Sequence, residues 1–495
     1  MKTKIFEVKE NIIKLLKSRL ESSSFIILPN IYRSDYVVLK LTWLLFFFVS
    51  TGFCAWFISR SITDYLNFDV ISKTEIKYDT NLIFPVITIC NSNPLTTDYS
   101  IEFVRSLLNT SNPYLRDDFM VKFFVNYNIT KNLTDPYLFG QKINELIIGC
   151  KFGFSDCNLN EDFEHYYDFN YGNCYRFNSG KNMIGKIVEQ KRANALYGSL
   201  DIQFWVGQAQ NNYNMFSINN GLIIFISNQS INSQLSNGIG VSAGYSTQVS
   251  VEKLTINKMP KPYSNCVANL NQIDSYESLT FKKLVEQDTS LQTYNYMNCY
   301  LVCLQRHVGD LCGCQLDSLT VIYYNKMKIC YSNESLREKE NKCFAKSLTL
   351  FLNDSKPFLD ICDCPIECDY NIYKYSTSLN EYPTRKYFSY LMNNQYIKSK
   401  FNGNLNDSLE SYESLRKSVG RVKIYYEFMM ETIITEYAKT QVADLVACVG
   451  GIMGLFLGLS FLSFVEFIDL LIQLIAICFK RSKSVNKIQV KEFQS

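Results

Sequence analysis

Two carboxylates that follow a long apolar run are the residues of this chain best placed to act on an ion. Glu466 and Asp469 come directly after Leu445 to Val465, LVACVGGIMGLFLGLSFLSFV, 21 residues without a charge. A carboxylate inside a hydrocarbon span costs at least about 2.5–3.5 kcal/mol on insertion scales, so it must face a water-filled path or a partner. Three positions apart, the two share a helix face. The same run carries Gly450, Gly451 and Gly454, then Gly458-Leu459-Ser460. Glycines at four-residue spacing leave a stripe without side chains, which suits close helix packing. Gly458-Leu459-Ser460 also permits a break whose carbonyls face an ion, because irregular backbone at membrane depth survives only in protein or along a water-filled path. From the residues alone both readings stand. One pair of helices cannot enclose a pore; three copies would set a ring of carboxylates at the inner end, which favours cations. Asp444, at the outer end, would concentrate cations in a vestibule.

The cysteines form a second chemical set. Of 17, Cys54, Cys448 and Cys478 sit in or beside apolar runs, and the other fourteen lie between those runs. They cluster as Cys90, Cys150, Cys157, Cys174 and Cys266, then Cys299, Cys303, Cys312, Cys314, Cys330 and Cys343, then Cys362, Cys364 and Cys368. An even number in an oxidising compartment suits a disulfide framework, while paired Cys-x-Cys units would also suit tetrahedral zinc. Spacing leaves the connectivity open. Crosslinks between the 299–314 and 330–368 segments would make a stiff rod, each bridge worth about 2–4 kcal/mol through its constraint on the unfolded chain. Only His165 and His307 are available for histidine chemistry. No nucleophile elbow or His-x3-His is present, and the G-x-G at 238–240 lacks the strand–helix context of a phosphate loop. An enzyme is not expected, nor a metal or cofactor.

The elements that must position these groups follow from composition and pattern. A 47% hydrophobic fraction and mean hydropathy of −0.07 over 495 residues exclude a bundle made mostly of membrane helices, and a net charge of +3 implies no nucleic-acid partner. Leu41 to Ile58, LTWLLFFFVSTGFCAWFI, has no charge and with residues 37–40 reaches the length of a bilayer span. Polar and mixed sequence precedes it, unlike a cleaved signal peptide. Lys2, Lys4, Lys9, Lys14, Lys17, Arg19 and Arg33 lie before this run, and Lys480, Arg481, Lys483, Lys487 and Lys491 after the second. The positive-inside rule puts both ends in the cytoplasm. The expected organisation is a cytoplasmic N-terminus (1–36), a first transmembrane helix (37–61), an extracellular disulfide-rich domain (62–440), a second, pore-forming transmembrane helix (441–479) and a cytoplasmic C-terminus (480–495). The glycosylation acceptors Asn109, Asn128, Asn132, Asn228, Asn333, Asn353 and Asn406 all fall between the spans, in keeping with this topology. Strands are expected at 84–90, 222–227, 247–256 and 421–437, the last running back to the second span. Stretches 106–134 and 207–237 read as loops or lobes, and 270–292 and 393–418 have helical composition.

GGIMGLFLGLSFLSFVEFID (450–469) resembles the second-span signature of the degenerin/epithelial sodium channel family. FPVITICNSNP (84–94), VSAGYSTQVSV (241–251) and KPYSNC (261–266) resemble further motifs of that family, and the fourteen cysteines are ordered like those of the acid-sensing channels. The first of these looks closest to the peptide-gated, invertebrate branch. The resemblance implies an α+β membrane protein, a trimer whose two transmembrane helices flank an ectodomain of palm, β-ball, knuckle, finger and thumb. It would conduct sodium, its permeant ion, across the plasma membrane and be blocked by amiloride. The implied disulfides are Cys90–Cys174, Cys150–Cys157, Cys266–Cys368, Cys299–Cys364, Cys303–Cys362, Cys312–Cys343 and Cys314–Cys330. The family's selectivity triplet falls on Gly458, Leu459 and Ser460, its intramembrane Glu on Glu466, and the position where bulky residues hold the channel open on Ala447. An aromatic contact between the end of the first span and the thumb would map onto Phe68 and Tyr263. Two positions depart from the pattern: Ile26-Ile27 replaces a cytoplasmic His-Gly, and Cys448 replaces an Asp of the acid-sensing members.

The expected function is therefore a ligand-gated, amiloride-sensitive cation channel subunit opened by an extracellular neuropeptide, in a homotrimer or with related subunits, set in membrane lipid. Proton or mechanical gating, or an accessory role in a heterotrimer, are alternatives within the family. An ATP-gated two-span channel and a non-conducting adhesion protein are rivals of other classes; fourteen cysteines speak against the first and Glu466 with Asp469 against the second.

Overall fold

A computed structural model of the chain describes residues 34–108, 135–207, 219–228, 238–270, 276–287, 294–315, 328–330, 339–349, 362–401 and 407–475, with a few positions inside these ranges left out and isolated residues elsewhere. The chain divides into a helical unit, Met1–Ile71 with Tyr437–Ser495, and a disulfide-rich unit, Ser72–Glu436.

In the helical unit, Val37–Leu66 is a 30-residue helix, and among the described residues it is the one helix long and apolar enough to cross a bilayer. It extends past the expected boundary at 61. The second apolar run was expected as one helix over 441–479, and this needs correction. The helix Val442–Leu457 ends at Gly458, whose φ of 67° is left-handed, and among the described residues beyond it helical geometry is found at 462 and 463 and from 465 to 475. Residues 476–479 lie outside the described residues. Phe456 stacks on Phe53 and Phe57 at 6.3 and 5.7 Å, and the Ser61 hydroxyl lies 3.5 Å from the Cys448 thiol. Next to the helices, the Lys439 N–H donates to the Asp69 carbonyl at 2.9 Å and its ammonium reaches the Asp69 carboxylate at 3.0 Å.

Among the described residues the disulfide-rich unit is built on two large sheets, with three two-stranded pairings besides. One has the order Asp369–Glu381, Tyr245–Asn257, Val419–Ala438, Ser199–Trp205, Ile147–Phe152, Ser155–Asp156, with Val70–Tyr78 also paired to Val419–Ala438. The other has the order Ile239–Ser242, Gly221–Ser227, Val86–Asn91, Gly172–Phe177, Phe163–Asp168. Ile87, Ile89, Phe163, Tyr175 and Phe177 of the second sheet share a core with Leu200, Ile202, Phe204, Val422 and Ile424 of the first. The period of two explains the register: in Val419–Ala438, Val422, Ile424 and Tyr426 are buried while Arg421, Lys423 and Tyr425 are half exposed. Val86–Asn91 is buried at every position because both of its faces are covered, Ile87 and Ile89 by the core shared with the other sheet and Cys90 by Cys174 and Phe225, which is why it reads as an unbroken apolar run.

The fourteen cysteines of this unit close seven disulfides: Cys90–Cys174, Cys150–Cys157, Cys266–Cys368, Cys299–Cys364, Cys303–Cys362, Cys312–Cys343 and Cys314–Cys330. Oxidised sulfurs are no thiolate ligands, so the zinc reading falls. The helix Tyr296–Cys312 carries three of the half-cystines. Its start is capped by the Asn295 side chain, which accepts from the Met297 N–H, and its end by left-handed Gly313. Cys299 and Cys303, one turn apart, face Cys364 and Cys362. Phe281, Tyr276 and Tyr294 pack edge to face at its foot, and the two tyrosine hydroxyls donate to the carbonyls of Cys266 and Pro365.

The strands expected from the sequence appear as Val86–Asn91, Gly221–Ser227, Tyr245–Asn257 and Val419–Ala438. The strand at 221–227 interrupts the loop expected over 207–237. In the stretches of helical composition the helices are Leu279–Gln287, Gln395–Lys400 and Leu409–Arg416. Most of 109–134 lies outside the described residues.

Candidate ion-conducting site

The break at Gly458 is defined by where its amides go. The Gly458 N–H donates to Gly454 O at 3.0 Å, the bond of an αL helix end, and the Leu459 N–H reaches back to Met453 O at 3.3 Å. The Ser460 N–H goes to the Ser463 hydroxyl at 3.1 Å, and the Ser463 N–H returns to Ser460 O at 2.9 Å. The donors that a continuous helix would send to the carbonyls of Leu455, Phe456 and Leu459 are thereby directed elsewhere. Were this segment to lie at membrane depth, the released carbonyls would need an ion, water or protein donors. A single glycine in the left-handed region is what allows the change of direction.

The faces of the second helix are sharply divided. At 3.6 residues per turn Ala443, Ala447, Gly450 and Gly454 fall within roughly 60° of one another, and Cys448, Ile452 and Phe456 lie on the opposite side. The latter side meets the first helix, through Ser61, Phe53 and Phe57. The small side is open: a Cβ added to Gly450 or Gly451 would meet nothing within 4 Å, and one added to Gly454 only Leu459 O at 3.7 Å. Ala447 is exposed on this open side. Asp444 is exposed in the first turn, where its carboxylate accepts from the Gln441 N–H at 3.1 Å; it caps the helix whatever else it does. Beyond the break, Glu466 is exposed, and half-buried Asp469 accepts from the Gln473 amide at 3.0 Å.

Phe68 takes a left-handed φ of 52° just after the first helix, with its ring 6.1 Å from that of Tyr65. Tyr263, half buried in the other unit, turns back on Pro260, to whose carbonyl its N–H donates. Of the glycosylation acceptors, Asn228 is described, and half buried; Asn109, Asn128, Asn132, Asn333, Asn353 and Asn406 lie outside the described residues, as do Ile26-Ile27 and Cys478.

The carboxylates of the disulfide-rich unit bear on proton sensing. Burial pushes Asp168 above the usual carboxylate range, against the N–H groups of Asn170 and Tyr171, the Tyr166 hydroxyl and the charge of Arg176. Burial likewise raises Glu367, which accepts from the Tyr296 N–H. Neither is raised by a second carboxylate. Glu431 goes the other way: burial would raise it, but the Lys253 ammonium at 2.7 Å and the Thr255 hydroxyl win, and it sits below the ordinary range. Sequence reasoning missed Ser463, Gln473, Lys253 and the Asp69–Lys439 pair. Ser463 left one signal, a hydroxyl three residues after Ser460, the spacing of a helix-start cap.

Comparison with known proteins gives these features a context. The sequence profile described as amiloride-sensitive sodium channel matches residues 20–470. The FMRFamide-activated amiloride-sensitive sodium channel of Cornu aspersum is 23% identical, with 90% of this chain and 81% of that protein covered. The bile acid-sensitive ion channel of Mus musculus is 24% identical over 90% and 85% of the two chains. The acid-sensing ion channel 1C of Danio rerio is 25% identical over 88% and 79%.

Proposed function

The chain belongs to the amiloride-sensitive sodium channel family, and on that premise we propose that it is a subunit of a trimeric, sodium-preferring channel of the plasma membrane, opened by an extracellular peptide and blocked by amiloride. In this reading Val442–Leu457, the break and the 462–475 stretch form one second span, both termini are cytoplasmic, and the disulfide-rich unit is outside the cell. The observation that carries it is the interruption at Gly458 to Ser460 inside an apolar segment, with released carbonyls beside an open small-residue face. Three copies meeting along Ala443, Ala447, Gly450 and Gly454 would put those carbonyls around one axis, with Glu466 and Asp469 on the inner side and Asp444 on the outer.

Relatives at nearly equal identity carry names that point to a peptide, to bile acid and to acid. The peptide reading is favoured by the FPVITICNSNP motif, by the scarcity of histidine, and by raised carboxylates that owe their shift to burial one at a time. Whole-cell recording in oocytes during application of amidated peptides, acid, bile acid and ATP tests it. A peptide-evoked, amiloride-blocked inward sodium current is expected, and current evoked by acid, bile acid or ATP with peptides inert would overturn it. A second reading, an accessory subunit of a heterotrimer, is favoured by Ile26-Ile27 and predicts current only on co-expression with a relative that carries His-Gly there.

A further inference from the structure

We propose that Ser463 is a positioning residue for ion selection, acting through the peptide group that joins Leu459 to Ser460. The proposal rests on the reading of 458–460 as the selecting segment. That peptide group is planar and trans, so its N–H and C=O point in opposite directions and fixing one fixes the other. Its N–H belongs to Ser460 and is held by the Ser463 hydroxyl at 3.1 Å. Its C=O belongs to Leu459 and lies over Gly454, 3.7 Å from where a Cβ there would stand. Gly454 is on the small, open face of the second helix, away from the side that packs on Phe53, Phe57 and Ser61. The Leu459 carbonyl is thus presented on the face where an ion path would run, and its direction is set by a side chain four residues later.

The serine hydroxyl is the replaceable part of this arrangement. Ser463 also donates its own N–H to Ser460 O at 2.9 Å, a bond that any residue at 463 can make, and the two hydroxyls approach to 3.4 Å. Without the hydroxyl the Ser460 N–H has no acceptor in this geometry: the Phe456 carbonyl, its partner in a continuous helix, is left behind when the chain turns left-handed at Gly458. In a membrane such an N–H will rotate its peptide plane to find another acceptor, and the Leu459 carbonyl must rotate with it. Threonine keeps the γ-hydroxyl and the geometry, whereas alanine loses both.

The test is the sodium-to-potassium permeability ratio from reversal potentials in oocytes giving wild-type current, with surface protein measured in parallel. Ser463→Ala should change the ratio about two- to tenfold, the range of one hydrogen bond, and Ser463→Thr should restore it; a merely structural role would alter surface yield without altering the ratio. An unchanged ratio in Ser463→Ala, or an equal change in Ser463→Thr, overturns the proposal. Ser460→Cys separates the two levels: if it shifts the ratio and Ser463→Ala does not, Ser463 has no such role, whereas if neither shifts it the selecting segment lies elsewhere. Where Ser463→Ala alone passes no current, co-expression with wild type at rising proportions should give a graded shift, and a constant ratio with mutant protein at the surface counts against the proposal.

Discussion

Gly458 and Ala447 are two small residues with opposite reasons to be small. Gly458 needs backbone freedom: its φ of 67° costs an L-side chain roughly 1–2 kcal/mol. Gly458→Ala is expected to shift the sodium preference or abolish current while surface biotinylation stays at the wild-type level. Wild-type reversal potentials in that variant would show that the turn does not line the path. In the proposed trimer, Ala447 would need space between copies. Overpacking of about 1–3 kcal/mol per site, repeated in each subunit, is enough to move an equilibrium between states a few kcal/mol apart. Ala447→Val or Ala447→Phe should therefore give a standing amiloride-sensitive current without ligand. A background-level resting current, with the mutant at the surface and related subunits tested, would place Ala447 against lipid.

Among the elements, the long central strand and the cysteine helix carry the clearest consequences. Glu431, on Val419–Ala438, has a carboxyl held below the ordinary range, so its contribution to stability is present above the unfolded value and is lost only as pH falls through the lower, folded value. Lys253→Met leaves the burial and removes the ammonium, which raises the folded value. The sign then reverses: the deficit against wild type, on the order of 1–3 kcal/mol at neutral pH, should shrink as the pH falls through the carboxylate range. Thermal melts of the solubilised channel across that range would show it, and a deficit independent of pH would mean that Glu431 is not the group involved. On the cysteine helix, Cys303→Ser should cost about 2–4 kcal/mol locally and reduce surface delivery or the agonist response; a normal response would show that the helix need not be stiff. The main strands were legible because their apolar period survives in the sequence, as at Val422, Ile424 and Tyr426. Phe163–Asp168 and Gly172–Phe177 were not, since polar residues such as His165, Asn173 and Arg176 sit among their buried aromatics and blur the alternation. Gly458 to Ser460 stood out as a possible break because of its glycine, yet the hydrogen bonds that stabilise the break depend on a serine hydroxyl that composition does not distinguish from any other.

Over the whole molecule, the open small-residue face predicts how copies meet. In a Cys448→Ser background, Ala443→Cys should form disulfide-linked dimers under mild oxidation, read on non-reducing gels, because in the proposed trimer two of the three subunits could pair at a shared axis; a variant that stays monomeric would put the axis elsewhere. The disulfide-rich unit carries a further consequence in its connectivity. Cys314–Cys330 lies within the loop closed by Cys312–Cys343, which lies within Cys303–Cys362, then Cys299–Cys364, and finally Cys266–Cys368, with separations of 16, 31, 59, 65 and 102 residues. The brackets nest without crossing, as in an RNA hairpin stem. Once an inner pair closes, the next pair out has a shorter ring to close than it would in the open chain, so the entropic cost of each step is reduced. Oxidation can therefore proceed outward from the innermost loop as a zipper, and no segment ever has to be threaded through a ring already sealed.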